Sequence, residues 1–125
     1  MISYTEDIVE ILNGHFSNGA EYVDSILLAT YVLNIYFSNF NIQCAERVFA
    51  TIGGTIYEWN EYLNSGPWGL LVRQIPNKAK LNSPYSLNIT FESGDSIDIE
   101  TVEGQYESVI FNFPPVGESH VMEVF

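Results

Sequence analysis

The spacing of apolar residues changes period along this chain of 125 residues, and that change limits the folds open to it. Before residue 63 the apolar positions recur in steps of three and four, whereas beyond Leu87 they alternate with polar ones. A run of helices followed by a run of strands predicts an α+β domain, not an alternating βα unit. The simplest such architecture packs N-terminal helices on one face of a C-terminal antiparallel β-meander. The length suits one core, and no repeat or linker divides the chain, so residues 1–125 read as a single domain.

Local signals place the elements. Ser3 and Glu6 have capping-box spacing ahead of Ile8, Val9, Ile11 and Leu12, with Gly14 as a stop. Tyr22 to Tyr36 is apolar on nearly every side and reads as a buried second helix. Ala45, Val48, Phe49, Ile52, Ile56, Trp59 and Leu63 suggest a third, which Gly53-Gly54 would kink or break and Ser65-Gly66-Pro67 would end. Beyond it, Leu87, Ile89 and Phe91 form one strand and Ile97 and Ile99 the next, joined by a turn at Ser93-Gly94-Asp95. Tyr106 to Phe113 then reads as a strand ended by Pro114-Pro115, and Val121 to Phe125 as a last one.

Charge separates the function classes. Sixteen Asp and Glu oppose four Lys and Arg, a formal net charge of −12. Direct nucleic-acid binding needs a basic patch that Arg47, Arg73, Lys78 and Lys80 cannot build, and the same field disfavours an anionic membrane. It would instead speed encounter with a basic partner, although solubility alone also rewards high net charge. Cys44 is the only cysteine, which excludes an internal disulfide and fits a reducing cytoplasm. The N-terminus lacks the basic start and long apolar run of a secretory signal. The apolar run Ile26–Phe37 is too short to span a bilayer.

The acids concentrate late in the chain. Between Phe91 and Ser108 lie Glu92, Asp95, Asp98, Glu100, Glu103 and Glu107 with no base among them, and none follows Lys80. Strand alternation that buries Ile97 and Ile99 turns Asp98 and Glu100 to the opposite face, which is then expected to be acidic and locally unneutralised. An EF-hand-like calcium loop fails in either frame, since Ile97 and Ile99 fall on ligand positions from Asp95 and Glu103 falls on the glycine position from Asp98. A looser cation site at Asp95, Asp98 or Glu100, and a carboxylate acid/base pair, are weaker alternatives, because catalytic acids sit in clefts. Cys44 with His15 or His120 could supply a nucleophile, but a lone cysteine is more often a small buried hydrophobe, and the two histidines read as solvent-edge residues. No phosphate-binding or nucleophile-elbow motif occurs, so neither cofactor, metal nor catalytic residue is expected.

The stretch IYEWNEYL, Ile56 to Leu63, sets Tyr57, Glu58, Glu61 and Tyr62 around a core-facing Ile56, Trp59 and Leu63 if it is helical. Rigid aromatics beside carboxylates suit an interface with a basic protein, and Trp68, next to a Gly-Pro turn, reads as an exposed anchor. An acidic single domain with such a surface resembles bacterial immunity proteins that protect against nuclease toxins, including those of contact-dependent inhibition systems. The resemblance rests on Glu92 to Glu107 and IYEWNEYL and on no specific motif. It implies a non-enzymatic inhibitor that binds a basic toxin domain, while an acidic nucleic-acid mimic aimed at a host defence complex and a small hydrolase or ligand-binding domain are the alternatives.

Overall fold

A computed structural model describes residues 3–60, 66–101, 109–116 and 119–125, with backbone alone at 114–116 and 119–122. Among these residues one α-helix, α1 (Glu6–Phe16), precedes ten strands: β1 (Val23–Leu28), β2 (Leu33–Phe37), β3 (Asn41–Cys44), β4 (Val48–Ile52), β5 (Thr55–Trp59), β6 (Pro76–Ser83), β7 (Ser86–Phe91), β8 (Ser96–Glu100), β9 (Val109–Val116) and β10 (Ser119–Val124). A 3-10 turn, Trp68–Leu71, lies between β5 and β6.

The strands form two five-stranded sheets, ordered β1-β2-β3-β9-β10 and β5-β4-β8-β7-β6, with every pairing antiparallel. Their inner rows, including Leu33, Ile35, Ile42 and Phe111 from the first sheet and Val48, Ala50, Leu87, Ile89 and Ile97 from the second, join in one core. Tyr4 ties the two together: its ring lies 5.2 Å from that of Phe125 while its hydroxyl donates to the Ile99 carbonyl at 2.9 Å.

The first helix forms where spacing puts it, burying Ile8, Leu12 and Phe16 at intervals of four. Its boundaries differ from expectation, because Thr5 stands at the N-cap without a side-chain bond and the helix runs past Gly14 to Phe16. Acids at Glu6 and Asp7 and His15 in the last turn suit the helix dipole. Alongside β6 the Asn13 side chain behaves like a strand residue. Its amide donates to the Ala79 carbonyl at 2.9 Å and accepts from the Ala79 N–H at 2.7 Å. This covers the outer edge of β6, where unpaired backbone groups would otherwise invite another chain.

The other two expected helices are hairpins, so the fold is mostly β with a single helix in place of several helices on a meander. Tyr22 to Tyr36 became β1 and β2, because a segment apolar on all sides and rich in β-branched and aromatic residues satisfies a buried strand pair as well as a buried helix. Gly53 and Gly54, at φ 59° and 85°, form the two-residue loop between β4 and β5. Both sit in the left-handed region that such a hairpin needs, which turns a presumed kink into a chain reversal. Of the late strands, β7, β8 and β10 lie close to their expected places, whereas β9 continues through Pro114-Pro115. Pro76 opens β6, a position where a missing N–H is tolerated.

Candidate functional site

The outer face of the second sheet gathers three of the candidate acids, Glu58, Asp98 and Glu100. Register sets Glu58 opposite Phe49, Phe49 opposite Asp98, Asp98 opposite Asn88 and Asn88 opposite Lys80, so one row crosses all five strands. Since Ile97 and Ile99 are buried, Asp98 and Glu100 share this face, as alternation requires. Its geometry follows from the hairpin at Gly53-Gly54, which brings Glu58 beside β4 and leaves the half-buried Phe49 ring between two carboxylates.

The face is not uniformly acidic, which corrects the expectation that nothing neutralises it. Lys78 and Lys80, paired with Thr90 and Asn88, lie on the same side at the β6 edge. The Arg47 Nε atom stands 3.3 Å from Glu100 Oε1, close as a charge pair but outside hydrogen-bond alignment, since that oxygen has no hydrogen-bond partner among the described residues. The Arg47 guanidinium also lies 5.9 Å from the centre of the Phe49 ring, within cation–π range. Bases distant in sequence were folded onto the acidic strands, so chain position was a poor guide to local charge.

The remaining site candidates scatter. Asp98 Oδ1 accepts amide hydrogens from Asn82 at 2.7 Å and Asn88 at 2.9 Å, and Oδ2 accepts no hydrogen bond among the described residues. Asp95 is a clamp, its Oδ1 accepting from the Gly53 N–H at 3.1 Å and its Oδ2 from Gln74 Nε2 at 2.8 Å. Glu92 is exposed beyond β7. Glu58 Oε2 accepts from Asn60 Nδ2 at 2.6 Å. Tyr57 packs against the core on the opposite side of β5 from Glu58, and Trp68 is 2% exposed. Trp68 is therefore not the exposed anchor that its Gly-Pro turn suggested, and Tyr57 is half-buried away from the acidic row. Glu61, Tyr62, Glu103 and Glu107 lie outside the described residues. Phe49, whose spacing from Ala45 and Ile52 suggested one side of a helix, is the aromatic that the acidic row does carry.

Cys44 is buried, and burial pushes its thiol far above the ordinary range, so it stays protonated and inert. His15 is not at a loop edge but at the end of α1, stacked on Phe113 at 5.3 Å and 3.9 Å from Glu21. The buried Glu21 carboxylate accepts from the Ser38 hydroxyl, the Asn39 N–H at 2.8 Å and Asn39 Nδ2 at 3.1 Å. These bonds fix the turn between β2 and β3 and account for the buried charge structurally.

Among the described residues no three of His, Cys, Asp and Glu converge as a metal site, and no helix is long and apolar enough to cross a membrane. Compared with known protein families, curated proteins and solved structures, the chain matches none.

Proposed function

We propose that this protein is an immunity-type inhibitor that binds a basic toxin domain, with a nuclease as the expected target, through the β5-β4-β8 part of the second sheet's outer face. One observation carries the reading: the face already holds a guanidinium, that of Arg47, over Phe49 and beside Glu100. An aromatic ring flanked by carboxylates offers a partner's Arg or Lys both stacking and charge pairing. Arg47 is 55% exposed at its side chain, so its pair is worth little and can be exchanged for one with a partner. Nuclease clefts are basic because they hold phosphates, and an acidic row can occupy such a cleft. The Lys78 and Lys80 edge would orient the partner by repelling its basic rim.

The test seeks a basic nuclease domain encoded beside this gene and measures its association kinetics with the protein. Raising salt should slow association, and Glu58→Gln with Asp98→Asn should slow it by about tenfold at low salt. Phe49→Ala should instead speed dissociation. Binding that ignores both salt and the two acid substitutions would place the contact elsewhere.

A further inference from the structure

Two of the four outermost strands, β6 and β1, are treated differently. The Asn13 amide occupies the outer edge of β6, whereas β1 is covered over only part of its length. Val23 accepts from the Arg73 N–H at 2.7 Å and donates to the Gln74 carbonyl at 3.0 Å, so residues 73–74 block the first part. A bulge between Val23 and Ser25 then shifts the register. Farther on, the Ala29 N–H donates to the Val32 carbonyl at 2.9 Å and closes the β1-β2 hairpin. By alternation Leu27/Asn34 and Ser25/Tyr36 are the hydrogen-bonded pairs, and the backbone groups of Ile26 and Leu28 point away from the sheet. Neither residue's N–H or C=O has another partner among the described residues. Leu27 and Leu28 are 49% and 38% exposed, and Tyr31 at the hairpin tip is 70% exposed.

We infer that β1 pairs antiparallel with β1 of a second copy, about a two-fold axis at Leu27, joining the first sheets of two chains into one. In that register Ile26 faces Leu28 of the second copy and Leu28 faces its Ile26. The outward N–H and C=O groups of each residue meet those of the other, so all four edge bonds form within a self-complementary segment. Leu27 meets its own counterpart as a non-hydrogen-bonded pair, the geometry that brings side chains closest.

Charge permits a second copy at this edge, although the molecule as a whole is strongly acidic. The register rows Leu27–Asn34–Gln43–Ile110–Val124 and Ser25–Tyr36–Asn41–Asn112–Met122 contain no Asp, Glu, Lys or Arg, although the chain carries a net −12. Asp24, the acid nearest the junction, falls opposite Thr30 of the second copy. No like charges therefore meet where the chains join, and what opposes pairing is the long-range repulsion of two acidic bodies, which salt screens.

Sedimentation velocity on the isolated full chain tests this, from micromolar to about millimolar protein and from about 0.05 to about 0.5 M NaCl. Dimer should grow with protein and with salt, the opposite of the salt response expected for a basic partner, so the two readings fail independently. Leu27→Lys lowers the net negative charge yet sets two ammonium groups face to face, and it should weaken the dimer by about tenfold or more. Ile56→Lys makes the same charge change on β5 and should leave the dimer intact or strengthen it. Amide exchange at Ile26 and Leu28 of the unaltered chain should slow as protein concentration rises. A chain monomeric throughout, equal weakening by both lysines, or concentration-independent exchange at those two amides would overturn the inference.

Discussion

Replacing Asn13 by Ala removes the two bonds that hold α1 to the edge of β6 and leaves the Ala79 N–H and C=O without their partner. Partly buried bonds of this kind each contribute about 1 kcal/mol net, so the variant should lose about 2 kcal/mol of stability. With a urea slope of about 1.5 kcal/mol/M for a domain of this size, the unfolding midpoint should fall by about 1.3 M. Asn13→Asp sharpens the test, because a carboxylate still accepts from the Ala79 N–H but cannot donate to its carbonyl. At neutral pH it should be at least as destabilised as the alanine variant. A protonated carboxyl regains a donor, so the folded variant binds this proton more tightly than the unfolded chain, where Asp titrates near about 3.9. Its deficit against the unaltered protein should therefore shrink as pH falls through the acid range. Urea unfolding followed by tryptophan fluorescence at several pH values measures all three proteins. An alanine variant within about 0.5 kcal/mol of the parent, or a pH-independent aspartate deficit, would refute the reasoning.

Three further outcomes follow from the same structure. Gly54→Ala should cost about 1–2 kcal/mol by urea unfolding, since φ is 85° with nothing within reach of an added Cβ, so the loss is backbone strain alone. Cys44 should react with iodoacetamide only as fast as the chain opens, which mass spectrometry of the alkylated protein against urea concentration can show. Burial first, then the proximity of Cys44 and Glu100, holds the Tyr4 phenol well above its ordinary value near 10. The unfolded chain ionises there while the folded one keeps the proton, so this part of the stability should be complete below about pH 10 and lost above it, on top of the decline that the buried Cys44 thiol begins near pH 9. Tyr4→Phe should shrink the alkaline decline to the part that Cys44 contributes, at a neutral-pH cost of about 1–2 kcal/mol for the bond to Ile99, read from urea midpoints between pH 7 and 11.

The parts of the fold legible in the sequence were those where one period admits one structure. Ile8, Val9, Ile11 and Leu12 fit only a helix, and the alternation around Ile97 and Ile99 fits only a half-buried strand. Tyr22 to Tyr36 was ambiguous because its apolar residues cover every side, which erases the difference between periods of 3.6 and 2. A usable signal was present at VFATIGGTIYEW, where Gly-Gly between two β-rich runs marks a hairpin as readily as a broken helix. Misreading that segment displaced the candidate site with it: on a strand Tyr57 and Trp59 share the inner side, while Glu58 turns outward toward Phe49. The joining of Arg47 to Glu100 and the placing of Lys80 beside Asn88 depend on strand order, which no local pattern carries.

Strand order also governs when the protein can exist on the ribosome. Asn41 of β3 bonds Asn112 of β9 across 71 positions, and Tyr4 reaches Ile99 across 95. The first sheet therefore stays at three strands, with β3 as an open margin, until β9 has left the exit tunnel. Such non-local closure is slow, on the order of milliseconds to seconds, and it leaves Ile42 and Cys44 uncovered in the interval. A nascent chain is thus most vulnerable to its neighbours on the same message until β9 emerges, and slow translation ahead of β9 would lengthen that exposure without changing the final structure.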